Sequence, residues 1–547
     1  MQRVGRTVSR ITPVAPPRGP SRLKARGAAR NALAPVVVLA LTLGLLAGCV
    51  GPNFVPPPAP DAKGYLPGHL AAASGGPGEG SAVATQHFVS GADVSARWWA
   101  AFANQPLNDL IRQSVEHNPT LQSAEAAIRI ANYNAQAQRG LWAPQLTGNS
   151  TSSQILQSNA GIIFGAPLDS VPQTQFSLVT HQLTVNFVPD IWGGNFRAVE
   201  SLDAVTEQDV FQLEAAYLTL TGNVVTAAIQ EASLRGQIAA TERVIAIERR
   251  LLGILKDQQN AGQAARADVL AQEAQLAAAE QLLPPLAKQL GLQRDLLTAL
   301  AGQLSGDEIM QKFDLAHLKL PANLPVSLPS KLVDQRPDVR AAEAAMHAAS
   351  AQIGVAIAAR LPNITLSANG GTSAYNYAQV FAPGTGFYTL AASATAPIFD
   401  GFTLYNKQKA AEAALQQAEA VYRSAVITAF QNVADALRSL QADARALKAA
   451  VHAEETAKAS LDIVEQQLKQ GQVSQVQVFN AQQTYLNALI TKVQAEANRR
   501  SDTAALFVAL GGGWPTSCTS PVWRECALGE ASVTTQPTVP VTVEPKM

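Results

Sequence analysis

Apolar positions recur along this chain with two periods, and the switch between them happens twice. Leu107, Leu110, Ile111 and Ser114 share one face of a helix that starts near Asn104-Gln-Pro-Leu107 and breaks at His117-Asn118-Pro119, because the residue before a proline is pushed out of helical geometry. A second helical run follows from about Thr120 to Gly140. Past Pro144 the period falls to two, with Leu183, Val185 and Phe187 alternating with Thr184 and Asn186. Further along, Ile364, Leu366 and Ala368 alternate with Thr365 and Ser367, and Leu390, Ala392, Ala394 and Ala396 with Thr389, Ser393 and Thr395. These patterns predict strands with one apolar face, near 145–157 and 175–188 and again near 363–376 and 386–398. The segments from Asn159 to Pro172 and from Gln379 to Gly386 contain Gly and Pro and are the natural hairpin loops. Trp142, Phe164, Tyr375, Tyr377, Phe381, Phe387 and Tyr388 gather around the strands, a grouping that suits a membrane interface or ordinary packing.

Each strand pair leaves through proline and glycine into a long helical pattern, at Pro189-Asp-Ile-Trp-Gly193-Gly194 and at Pro397-Ile-Phe-Asp-Gly401. In the second, a stripe from Ala411 through Tyr422, Val433, Leu440 and Leu447 to Val451 takes eleven steps over 40 residues, or 3.64 per step. That exceeds the 3.5 of a left-handed coiled coil, so such helices pack side by side with little supercoil. Gly262 and Gly471 stop the two runs, giving helices of roughly 65–70 residues and about 100 Å. A shorter helix returns from each glycine, to Ala299-Leu-Ala-Gly302 and to Ala509-Leu-Gly-Gly512.

The two halves also match residue by residue. Pro119 and Pro337, Glu125 and Glu343, and Pro144 and Pro362 each stand 218 positions apart. The chain is therefore read as a duplicated unit. The organisation that follows is a leader at 1–48, a tether at 49–96 rich in Pro, Gly, Ala and Ser, a first repeat at 97–304, and a proline-bearing crossover at 305–329. A second repeat at 330–514 and a tail at 515–547 complete it.

Composition changes the picture at the N-terminus. Residues 1–30 carry seven arginines and Lys24 with no acidic residue, and a short apolar core runs from Pro35 to Leu46. This is a signal segment too short to span a bilayer comfortably. It leads into Leu46-Ala47-Gly48-Cys49, which resembles the lipobox of bacterial lipoproteins, where the new N-terminal cysteine carries an S-diacylglycerol and an N-acyl chain. An ordinary secretory signal with an incidental cysteine is the simpler alternative. Val50 follows where an aspartate often marks inner-membrane retention, which favours the outer membrane. The whole chain balances 41 basic against 41 acidic residues; without the leader it holds 33 against 41, a net of −8. An acidic chain with no basic cluster has no footing for nucleic acid. Cys518 and Cys526 are either a disulfide closing a small loop, in an oxidising periplasm, or two free thiols in the tail.

Seven scattered histidines, none at metal-ligand spacing, and the lack of a nucleophile elbow, Walker loop or dinucleotide fingerprint argue against an enzyme, a cofactor or a metal site. Four half-polar strands cannot close on themselves in one chain. In a bilayer an open edge leaves peptide groups unpaired, so strands entering a membrane must close with those of other copies. A barrel with long projecting helices implies a conduit.

The lipobox with Gly51-Pro-Asn-Phe-Val-Pro56, the paired Asn118-Pro119 and Arg336-Pro337, Pro189-Asp-Ile-Trp-Gly-Gly194 and the closing Ala509-Leu-Gly-Gly-Gly-Trp514 together resemble the TolC- and OprM-like outer-membrane factor family, most of all its NodT-type lipoprotein branch. The resemblance covers residues 49 to about 514. It implies an α+β membrane protein: a homotrimer with one twelve-stranded transmembrane β-barrel, continued by a long α-helical barrel across the periplasm. It also implies a passive exit duct in the outer membrane of a Gram-negative bacterium, without catalysis. Its partners would be a periplasmic adaptor (membrane fusion) protein, an inner-membrane efflux transporter and outer-membrane lipid. By resemblance, the turns at Gly262 and Gly471 are adaptor contacts, and the periplasmic gate falls between Leu468 and Gln483. Relatives place aspartates there; this chain has Gln477, Asn480 and Gln483, with Val476 at a hydrophobic ring position, so an uncharged gate is expected. Ser474-Gln475-Val476-Gln477 also fits a capping box, which would make Gln477 a cap residue instead. The rival reading is a structural envelope lipoprotein with long helices and no channel, which would have no use for alternating strands.

Overall fold

A computed structural model describes residues 50–62, 64–68, 73–74, 85–158 and 173–512. Its elements follow the same order twice. In the first half, helices α1 (Gln105–His117) and α2 (Pro119–Arg139) lead into strands β3 (Gln145–Ser158) and β4 (Gln173–Phe187). Then come α3 (Gly194–Asn260), α4 (Arg266–Glu280) and α5 (Leu283–Leu300). In the second half, α6 (Pro329–Gln335) and α7 (Pro337–Ala358) lead into β6 (Asn363–Ala374) and β7 (Gly386–Thr395), then α8 (Thr403–Lys469) and α9 (Gln475–Ala509). The long helices α3 and α8 are 67 residues each, about 100 Å at 1.5 Å per residue.

The proline breaks are local chemistry with a tertiary use. Asn118 Oδ1 accepts from the Thr120 amide at 2.9 Å, capping α2, and its Nδ2 donates to the Leu300 carbonyl at the end of α5. In the second half Arg336 stands at that position and donates to the Ala509 carbonyl at 2.9 Å, at the end of α9. Directly after these ends, Gly302 (φ +76°) and Gly511 (φ +92°) are left-handed. A Cβ on either would come within 2.6 or 2.7 Å of the carbonyl oxygen of His117 or Gln335. Both repeats thus lock the return helix onto the entry helix by the same two devices.

Two features lie outside the periodic reading. The return from Gly262 is two helices, because Pro284 and Pro285 remove amide donors and crowd the preceding turn, so α4 ends at Glu280 while α9 continues for 35 residues. The crossover contributes β5 (Asn323–Val326), which pairs in parallel with β2 (Gln86–Ser90); β2 in turn pairs with β1 (Ala73–Ser74). Part of the tether is thereby a strand. The main core lies beside this small sheet, where Trp98 stacks on Phe507 with ring centres 5.6 Å apart, and Phe102, Leu107, Leu297 and Leu324 are fully buried.

Candidate functional site

The larger sheet has the order β3-β4-β6-β7, all antiparallel, and among the described residues β3 and β7 are each paired on one side only. The register sorts its side chains. Leu146 and Val185, Leu183 and Gly370, and Ala368 and Leu390 are direct partners and share one face. Thr147 and Thr184, Asn149 and Gln182, and Asn369 and Thr389 share the other. On the apolar face Leu146 is 65% exposed, Leu183 59% and Leu390 75%, so among the described residues none covers these positions, whereas further along the same face Val179 and Ala374 are buried together with Val380 and His181 stacks on Phe381. The four strands, 14, 15, 12 and 10 residues long, contain no aspartate, glutamate, lysine or arginine.

At the far end of the long helices both turns take the same form. Gly262 (φ +73°) and Gly471 (φ +71°) follow the helix ends, with Gln263 N–H donating to the Gln258 carbonyl and Gln472 N–H to that of Gln467. These are Schellman caps, and no Cβ contact crowds either glycine. Both turns are exposed, as an adaptor contact requires.

Val476, Gln477, Asn480 and Gln483 all lie on the exposed side of the first turns of α9. Gln477 and Asn480 meet in a 290 Å³ cleft against α8, with Ala457, Ser460, Val464, Ala481 and Thr484. Val476 is 60% exposed and outside that cleft. Gln483 donates to Asn487 Oδ1 at 3.1 Å and faces Gln275 of α4. Ser474 makes no side-chain cap bond, and its backbone carbonyl alone accepts from Gln477 N–H. The capping box is not formed, which leaves the Gln477 amide free of that role. From Gln470 to Thr491 the chain carries no charged residue.

Beneath this face sits a buried polar seam that the sequence pattern did not flag. Gln475 Nε2 donates to Gln272 Oε1 at 3.0 Å, and Gln272 Nε2 to the Glu248 carbonyl at 3.3 Å, tying α9, α4 and α3 together. Glu248 is 1% exposed, and its Oε2 has no hydrogen-bond partner. Burial, with the nearby charge of Glu280 adding to it, pushes its pKa up to about 7.

Where sheet meets helices, the first described residues are clamped. Val50 N–H donates to the Trp192 carbonyl at 3.3 Å. Arg197 donates to the Val50 carbonyl at 3.2 Å and to Asn53 Oδ1 at 2.7 Å, and pairs with Glu200 at 2.7 Å. Gly51 (φ +104°) packs on Gly354, where a Cβ would meet Gly354 Cα at 2.5 Å. Phe54 stacks on His347 at 4.5 Å, and His347 meets Glu200 at 3.0 Å. Burial works against the Glu200 charge, but hydrogen bonds from Arg197 and His347 outweigh it and hold its carboxyl below the usual range. Cys49, Cys518 and Cys526 lie outside the described residues. Among the described residues no group of His, Cys, Asp or Glu could hold a metal, and no helix is long and apolar enough to cross a membrane.

Comparisons with known proteins agree with this architecture. The family model described as "Outer membrane efflux protein" matches residues 110–303 and 328–512. The pyoverdine export outer membrane protein OpmQ of Pseudomonas putida is 27% identical over 420 residues, covering 76% of this chain and 88% of that one. Nodulation protein T of Rhizobium leguminosarum bv. trifolii is 25% identical over 480 residues, covering 86% and 96%. The solved outer-membrane channel OprN superposes with a TM-score of 0.74 at 23% identity, over 85% of this chain and 99% of that one.

Proposed function

Because the chain belongs to the outer membrane efflux protein family, we propose that it is the outer-membrane exit duct of a tripartite efflux or secretion system. It conducts substrate passively from a periplasmic adaptor and an inner-membrane transporter to the outside, and makes or breaks no bond. The observation that carries this reading is the open four-stranded sheet, which around Leu146, Leu183, Leu366 and Leu390 alternates an apolar with a polar face, running directly into helices of 67 residues. A sheet with two open edges does not survive in lipid, and three copies pairing β7 to the next β3 close it into twelve strands. Twelve strands from three chains then stand over twelve helical passes, long enough to reach toward the inner membrane.

Cys49, acylated, anchors each copy. The clamp of Val50 and Gly51 against Trp192, Arg197 and Gly354 supports this, since it starts the chain where the strands end and the helices begin. Two or more acyl chains at that level hold a protein stably on a membrane. At the opposite end, the turns at Gly262 and Gly471 meet the adaptor, and Val476, Gln477, Asn480 and Gln483 line an uncharged gate.

Cysteines placed on the outer edges of β3 and β7, at Asn149 and Thr389, test the closure. Cross-linked dimers and trimers on oxidation, with unboiled trimer bands that collapse on boiling, are expected. A protein that stays monomeric and uncross-linked in the outer membrane supports the structural lipoprotein instead.

A further inference from the structure

The strands carry more information than closure requires. A lipid-facing surface must be apolar, but the opposite face of a water-filled barrel is free to carry charge, and charged rings are a common way for pores to sort solutes. Any acidic residue on this face would recur three times around the lumen. This face carries none in any of its four strands. Its polar positions are amides and hydroxyls, as at Thr147, Asn149, Thr184, Thr365 and Asn369. Such groups both donate and accept hydrogen bonds, so they solvate an anion as well as a cation. Cross-strand register keeps them together: Thr184 pairs with Thr147 on one side and with Asn369 on the other.

Resting on the barrel reading above, we propose that the strand barrel is a charge-neutral passage lined by amides and hydroxyls, open alike to anionic, cationic and zwitterionic polar solutes, and that it takes no part in sorting cargo by charge. Sorting then belongs upstream, to the transporter and the helical tunnel. Along the strands acidic cargo meets no repulsion, and a cationic cargo gains no attraction there.

The local potential is measured on the full-length protein with Cys518 and Cys526 replaced by serine, carrying Thr184→Cys or, separately, Asn369→Cys. In planar bilayers each is exposed to a cationic and an anionic methanethiosulfonate, and modification is read as a drop in conductance. With rates normalised to a free thiol in solution, a neutral lumen gives a cation-to-anion ratio within about threefold of one, because no fixed charge concentrates either reagent. Thr184→Asp added to the Asn369→Cys protein should raise that ratio severalfold in favour of the cation. A ratio beyond roughly tenfold in either direction, without the added aspartate, overturns the proposal. Conducting channels in which neither cysteine reacts overturn it too, by showing that this face does not line the lumen. Protein that folds and does not conduct fails the exit-duct reading itself.

Discussion

Glu248 is the residue whose surroundings most directly invite a pH experiment. Its carboxyl is buried between α3 and α4 with one oxygen unpartnered, and the charges near it are Glu280 of α4 and the Arg249 that pairs with Glu280; α9 offers only neutral glutamines there. A folded-state value raised to about 7 means that the neutral acid fits the seam. Its contribution is full below the ordinary glutamate range and is lost as pH rises through 7. Hydrogen exchange at the tips of α3, α4 and α9 should therefore quicken between pH 6 and pH 8 more than intrinsic chemistry explains, and Glu248→Gln should remove that excess. An unchanged pH profile in the variant would assign the effect to another group. Gln272→Ala leaves Gln475 without its buried partner and should loosen the same tips by about 1–3 kcal/mol in an exchange or denaturation measurement. None of this was legible in the sequence. A glutamine on a helix reads as solvent-facing, and only the close approach of three helices makes Gln272, Gln475 and Glu248 interior.

At the scale of elements the legible parts were those fixed by local stereochemistry. The alternation around Leu183 and Leu366 marks strands because side chains on a strand alternate faces, and Gly262 and Gly471 mark turns because a Schellman cap needs a left-handed residue. Long-range pairings were not legible. β5 contains Pro325 within Asn323-Leu-Pro-Val326 and forms only because β2 lies beside it. The double proline at 284–285 was a readable signal that the first return helix must break. The capping box at Ser474 fitted its sequence pattern, yet its side-chain bond is absent. Gly371 offers a sharp test of the sheet. A Cβ there would lie 2.0 Å from the His181 carbonyl oxygen and 2.7 Å from Gln182 Cα. Gly371→Ala should force β4 and β6 apart and abolish the heat-resistant oligomer band, while Gly148→Ala, whose Cβ would only touch Leu183 at 3.5 Å, should keep it.

For the whole molecule, duplication supplies the wall and the differences between the copies supply the ends. Both copies give strands, a 67-residue helix and a locked return, whereas the tip of the second copy is free of charge from Gln470 to Thr491 and that of the first carries Arg266, Asp268 and Glu273. Placing a carboxylate on the neutral tip should make it behave as an acidic gate: Gln477→Asp, present three times in the proposed trimer, should introduce cation preference, read from zero-current potentials, and block by millimolar divalent cations, read from the current. The most direct test of the exit duct is the conductance of the purified wild-type protein in planar bilayers. Uniform, discrete current steps from the oligomeric fraction, not tightly blocked by divalent cations, are the predicted result; folded oligomer that inserts and passes no current would contradict the account.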